Sequence, residues 1–175
     1  MSLATDLGCR IRPPNPAQRA VQTVAATRVG SWTFSRTLPT FDGWAQRLTG
    51  RTLPEVFASV PVVELTTTGR RSGDPRRTHL VAVPHEDGLG VIGTNFGQGQ
   101  TPAWVLNLEA DPAAQVSHRG STPVDVVARP ATPAERERIM AELDRTYVGY
   151  RAYRERISGR KVRVFVLERA ERPAS

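Results

Sequence analysis

The sequence predicts an α+β fold, a mostly antiparallel sheet or barrel of about six strands with flanking helices and an N-terminal helical extension. Three observations carry this reading. From Pro61 onward short β-rich runs alternate with turn residues, only two helical segments interrupt those runs, and the residues before Pro61 show helical patterning in place of alternation. A chain of 175 residues with 39% hydrophobic content suits one globular domain with a sizeable core.

Taken in order, residues 1–16 hold Pro13, Pro14 and Pro16 and are expected to be irregular. Residues 17–38 place Ala20, Val21, Val24 and Ala25 on one helical side, and a second short helix is expected around 41–50. The division that follows is an extension over 1–53, the barrel domain over 54–170 and a disordered tail over 171–175. The expected strands are 61-PVVELTTT-68, 78-THLVAVP-84, 88-GLGVIGT-94, 114-AQVSH-118, 122-TPVDVVA-128 and 162-VRVFVLE-168. Thr101 before Pro102 reads as an N-cap with proline at the first helical position, opening 102-PAWVLNLEA-110. Thr132 and Glu135 form a capping box that opens a longer helix to about residue 157. Its Ile139, Leu143, Tyr147 and Tyr150 recur at helical spacing and should pack on the sheet.

Lys+Arg 24 against Asp+Glu 17 gives a net charge of +7, and Lys161 is the sole lysine. Arginine forks onto carboxylate and phosphate oxygens, so the excess suits nucleic acid, anionic lipid or a small anion. A single cysteine, Cys9, excludes an intrachain disulfide and a cysteine-based metal site, and fits a reducing cytoplasm. No apolar run reaches signal-peptide length or the roughly 20 residues of a membrane span, so the expectation is a cytoplasmic protein, at most peripheral. Residues 17–38, where Arg19, Arg28 and Arg36 accompany Val21, Val24, Trp32 and Phe34, are the candidate for such membrane contact.

The turn 69-GRRSGDPRR-77 concentrates Arg70, Arg71, Arg76 and Arg77 around turn-forming Gly73, Asp74 and Pro75. Two readings are open, a solvated basic loop or a site for an anion. The segment 93-GTNFGQGQTPAW-104 joins a strand to a helix N-terminus through Gly93, Gly97 and Gly99; it is either a plain flexible loop or a backbone cradle for a flat or phosphorylated ligand. Its spacing matches neither a Walker nor a Rossmann fingerprint. Tyr147, Tyr150 and Tyr153 share a helix face, as core or as phenols beside a planar substrate. His79, His85 and His118 lack the spacing of a metal pair and are not read as ligands; Glu135 and Glu137 read as acids favouring a helix dipole. No metal and no covalent catalysis are expected. Together the arginine turn, the glycine loop and the tyrosine face outline a site with an anionic end and a flat end, suited to a nucleotide-like or flavin-like cofactor.

The strings 64-ELTTTGRRSGDPR-76, 92-IGTNFGQGQTPAWVLNLEADP-112, 147-YVGYRAY-153 and 162-VRVFVLE-168 resemble the deazaflavin-dependent nitroreductase family of split β-barrel flavin and deazaflavin oxidoreductases. The resemblance covers about residues 54–170 in unbroken order. It implies a split barrel that binds the 5-deazaflavin F420, with Arg70, Arg71 and Arg76 of the turn motif, which includes Ser72, Gly73 and Pro75, holding the phosphate and oligoglutamate tail. It further implies that Thr94, Asn95, Ala103, Trp104 and Asn107 surround the ring and that Tyr147, Tyr150 and Tyr153 line the substrate side. Quinones are the implied hydride acceptors, with activated alkenes and nitro compounds as further substrates. Thr94 stands in place of a more usual serine, His79 in place of a proline, and Val81 where some nitro-reducing members have tyrosine, which weighs against nitroimidazole-type reduction. FMN on the same barrel is the nearest alternative, and a non-enzymatic nucleic-acid or anionic-surface module the more distant one. FMN carries one phosphate and needs fewer cations, so the arginine turn favours the longer anionic tail. The aliphatic strands lack the exposed aromatics of a single-strand reader, and no nucleic-acid partner is expected.

Overall fold

The computed structural model describes residues 2–11, 60–94, 100–146 and 162–171. Among these, six strands close into one barrel: β1 (Val62–Thr68), β2 (Pro75–His85), β3 (Gly88–Ile92), β4 (Ala113–Ser117), β5 (Val124–Pro130) and β6 (Val164–Arg169). They follow the order β1-β2-β3-β6-β5-β4, and every neighbouring pair is antiparallel. Among the described residues three helices accompany them, α1 (Leu3–Asp6), α2 (Ala103–Ala110) and α3 (Pro133–Thr146). Each of the predicted β-rich runs is a strand, with ends displaced by a few residues. The helices expected at 17–38 and 41–50 lie outside the described residues, as do Asn95, Tyr147, Tyr150 and Tyr153. Among the described residues no helix is long and apolar enough to cross a membrane.

Strand alternation sorts the apolar residues onto two faces. Val63, Leu65, Ala82, Leu89, Val91, Val116, Val126, Ala128, Phe165 and Leu167 belong to one buried cluster inside the barrel. Val83, Val164 and Val166 belong to a second, which α3 covers with Ile139 and Leu143. The run 164-VFVL-167 is buried on both faces because β6 has the interior on one side and α3 on the other. Gly90 makes that approach possible, since a Cβ there would come within 2.7 Å of Ile139 Cδ1.

The N-terminal residues depart from the irregular segment expected of them. Ser2 caps α1 by accepting from the Thr5 N–H at 3.3 Å, and Leu3, Ala4, Leu7 and Cys9 are buried in the interior cluster. The Leu3 N–H donates to the Asp87 carbonyl at 2.9 Å, and the ring Nδ1 of buried His118 meets the Leu7 carbonyl at 2.8 Å. A four-residue helix is too short to show a period, and the prolines that follow dominate the local composition.

Among the described glycines the tightest steric limit lies in β3. A Cβ on Gly88 would sit 2.5 Å from the Leu167 carbonyl oxygen, a backbone atom of the paired strand that cannot rotate away. Gly88→Ala is therefore expected to cost roughly 3 kcal/mol, at the upper end of overpacking effects. A urea midpoint equal to that of the wild type would show that β3 and β6 are not packed in this way.

Candidate functional site

Pairing of β1 with β2 continues to Thr68↔Pro75, so residues 69–74 form the turn at one barrel end. The Gly69 N–H donates to the Asp74 carbonyl at 2.8 Å, and the N–H groups of Ser72 and Gly73 donate to the Gly69 carbonyl at 3.2 and 2.7 Å. Gly73 takes φ +74°, a left-handed conformation that suits glycine. Ser72 Oγ accepts from the Asp74 N–H at 3.3 Å and from Arg76 Nη2 at 3.2 Å, while the Asp74 carboxylate accepts from the same Arg76 nitrogen at 3.2 Å. Ser72, Gly73 and Pro75 thus form the frame, and Arg76 is held in position on it. Arg70 and Arg71 are exposed and make no side-chain ion pair among the described residues. Arg77 faces Glu64 at 3.9 Å, and His79 lies 3.7 Å from the same carboxylate.

Asn107 links this turn to α2. Its side chain is buried, donating through Nδ2 to Thr67 Oγ1 at 3.0 Å and accepting through Oδ1 from the Arg70 N–H at 3.2 Å. Strand end, turn and helix consequently form one unit, and the two sequence motifs that bracket them are mechanically joined. Trp104 is also buried, packed edge-on to Phe165 with ring centroids 6.1 Å apart. Ala103 is exposed at the start of the helix.

Pro102, and not Thr101, is the N-cap of α2, and no side chain caps the helix there. Pro102 has extended ψ of 144°, so its carbonyl begins the helical ladder by accepting from Val105 at 3.2 Å. Among the described residues no acceptor is bonded to the first N–H groups of the helix, where an anion would be favoured. Gly93 is bonded to the Arg163 carbonyl at 2.9 Å and approaches Val105 so closely that a Cβ would lie 2.7 Å from its Cγ2. Half-buried Thr94 follows it. α2 thereby links the arginine turn, held through Asn107, to the end of β3, where Gly93 lies against Val105, and the chain offers guanidinium groups at the turn and a hydroxyl at Thr94.

A second polar cluster, of which the sequence signalled only the Thr132 and Glu135 capping box, lies at the other end of β2. Both oxygens of buried Glu135 accept from Arg129, at 2.8 and 2.7 Å, and Glu135 Oε2 also accepts from the Thr132 N–H at 2.8 Å. The Glu135 N–H donates back to Thr132 Oγ1 at 3.3 Å, completing the predicted capping box. Arg129 further donates to Glu168 at 2.8 Å. The Arg129 hydrogen bond, then that of Thr132, holds the Glu135 carboxyl well below the usual carboxylate range, and the two acids raise Arg129. Glu135 is thus more than a dipole-favouring acid: it ties α3 to β5.

A depressed folded pKa adds stability above the unfolded value of roughly 4.3, and that stability is lost as pH falls towards the folded value. The stability gap between wild type and Glu135→Gln should accordingly be widest near neutral pH and shrink below about pH 4. Urea midpoints measured across that range check this; a gap independent of pH would show that the pair does not titrate with folding.

The sequence-family model for F420H(2)-dependent quinone reductase matches residues 40–169. An F420H(2)-dependent quinone reductase of Mycobacterium tuberculosis H37Rv is 29% identical over 84 residues, covering 48% of this chain and 56% of that protein. The chain therefore spans about half the length of the curated relatives it matches. Among solved structures, an F420-H2 dependent reductase (FDR-A) superposes with a TM-score of 0.54 at 29% identity, over 62% of this chain and 94% of that one. A structure described as a domain-swapped dimer gives 0.55 at 25% identity, over 78% of this chain and 97% of its own. The barrel is the split-barrel fold of these reductases.

Proposed function

Since the chain belongs to the F420H(2)-dependent quinone reductase family, we propose that it is an F420H2-dependent oxidoreductase that reduces a quinone or another electrophilic small molecule. One observation carries the proposal. Arg70 and Arg71 are exposed on a turn fixed from beneath by Asn107, beside an Arg76 already oriented by Ser72 and Asp74. Like charges this close repel, so holding them together on a rigid frame favours an anionic ligand, and charge-assisted bonds to phosphate and carboxylate oxygens are stronger than neutral ones. The donor set therefore fits the phosphate and glutamate tail of a deazaflavin, with Arg70, Arg71 and Arg76 as its partners. Thr94, next to the Gly93 that lies against Val105 of α2, would face the head group together with Asn95, Ala103 and the first N–H groups of α2.

When bound, reduced deazaflavin supplies a hydride from its C5 carbon, and the protein's task is placement and proton delivery. A quinone that gains a hydride becomes a quinol anion, so one proton must reach the product oxygen. Tyr147, Tyr150 and Tyr153 are the proposed donors or substrate-lining residues on this reading, with water as the other source. Trp104 and Asn107 would act from beneath the site, Trp104 through the barrel core and Asn107 through the turn.

A lipid quinone as acceptor, with residues 17–38 resting on a membrane surface, is the more specific form of the proposal. The basic and apolar residues of that segment support it. The test is oxidation of reduced F420 by menaquinone, monitored by deazaflavin absorbance, with FMN-loaded protein as the control. Turnover with F420 alone is expected. Activity only with FMN would overturn the assignment.

A further inference from the structure

His85 ends β2 with its side chain 8% exposed, and its Nε2 has no hydrogen-bond partner among the described residues. An unpartnered buried polar atom costs desolvation free energy and calls for a reason. The nitrogen faces two carboxylate oxygens, Glu135 Oε1 at 3.7 Å and Glu86 Oε1 at 3.9 Å. Both distances are too long for a hydrogen bond. The ligand-capable atoms of the three residues lie within 4.8 Å of one another.

The lone pairs of Glu135 sharpen the picture. A carboxylate offers about four acceptor sites. Arg129 and the Thr132 N–H take two on Oε2 and one on Oε1. The open site belongs to Oε1, the oxygen nearest His85. Glu86 is placed by the backbone: His85↔Gly88 pairing leaves a two-residue turn, in which Glu86 takes φ 50° where glycine or asparagine is usual. A cavity of 320 Å³ lies beside these groups, with His85, Glu86, Asp87, Arg129, Glu168 and Arg169 in its wall. Arg129 is shared between Glu135 and Glu168, Arg169 pairs with Asp6, and Arg138 lies 3.1 Å from Glu86. Carboxylates outnumber guanidinium groups across this cluster, which favours a cation.

From this convergence we infer that His85 Nε2, Glu86 Oε1 and Glu135 Oε1 bind a divalent transition-metal ion of the zinc class. A tetrahedral zinc with ligands at roughly 2.0–2.2 Å holds neighbouring ligand atoms about 3.4 Å apart, so the observed separations need only a small closure, which exposed Glu86 can supply. One imidazole with two carboxylates selects zinc-like ions over magnesium, whose preference is for oxygen ligands alone. The cavity leaves the fourth position to water. The ion would clip the β2–β3 turn to the first turn of α3. β2 runs from Pro75 to His85, so the site lies roughly 30 Å from the arginine turn at 3.3 Å per residue, and β3 leads away from it towards Thr94.

The test uses full-length protein freed of metal with a chelator. Titration with zinc chloride by calorimetry is expected to show one ion bound per chain, a raised melting temperature, and displacement of the His85 Nε2 resonance in nitrogen-15 spectra. Magnesium chloride at the same concentration should do none of these. Glu86→Gln, conservative and on the exposed turn, should weaken zinc at least about 10-fold, and His85→Ala should abolish the site. If His85→Ala fails to fold, Glu86→Gln decides alone. Absence of saturable binding, or zinc affinity unchanged in Glu86→Gln, would overturn the inference. A His85 that carries protons on both ring nitrogens and ignores zinc would do the same, showing an imidazolium between two carboxylates.

Discussion

Arg71→Ala is expected to raise the apparent KM for F420 by a factor equivalent to about 1–3 kcal/mol, the range for losing a charged hydrogen-bonding partner, while kcat at saturation changes little. The tail of the cofactor is remote from its reacting carbon. Contacts to it are therefore similar in the ground and transition states, and uniform binding of this kind alters affinity without altering the chemical step. Arg71 is exposed, so the loss should shrink as salt rises. It should also shrink for a truncated cofactor that lacks the glutamates and phosphate. Wild type and Arg71→Ala measured with both cofactor forms make a double-mutant cycle. Equal losses for the two forms would mean that the turn does not recognise the tail, and unchanged affinity for both would reduce it to a solvated basic loop.

Asn107→Ala should produce a different pattern, lowering stability and cofactor affinity together. The substitution leaves Thr67 Oγ1 and the Arg70 N–H without the partner each has at 3.0 and 3.2 Å, on a residue that is 5% exposed. Two under-satisfied polar groups at a buried site cost on the order of 2–4 kcal/mol in all. Because Asn107 fixes the turn that carries Arg70 and Arg71, its loss also frees those side chains to spread apart, and the affinity gained by holding them ready is reduced. Arg71→Ala, on an exposed side chain, should leave the melting temperature nearly unchanged. A stability near that of the wild type for Asn107→Ala, with affinity alone reduced, would instead make Asn107 a direct cofactor contact.

The difference between what the sequence announced and what it concealed follows from range. Strands were legible because alternation and turn chemistry are local, and the arginine turn was legible because its glycines, proline and charges are consecutive. The Thr132 and Glu135 capping box was legible for the same reason. The Asn107 link joins residues 37 and 40 positions apart, so the motif could be seen without its mechanical purpose. Arg129 and His85 were concealed alike, since Glu135 in the first turn of α3, and no sequence spacing, meets both β5 and the end of β2. The resemblance put Trp104 among the residues around the cofactor ring, but its place against Phe165 depends on which face of α2 turns inward. That face has no clear period in a helix whose apolar residues lie on most sides. The docking of α1 was missed because its burial depends on His118, Asp87 and the barrel end, far along the chain.

A fluorescence titration of the full chain with F420 and, separately, with FMN at low and high salt tests whether the arginine turn is built for a long anionic tail. F420 should bind much more tightly than FMN, and its advantage should narrow as salt screens the exposed arginines. Equal or tighter binding of FMN would contradict the deazaflavin assignment and return the barrel to the flavin-binding side of its fold.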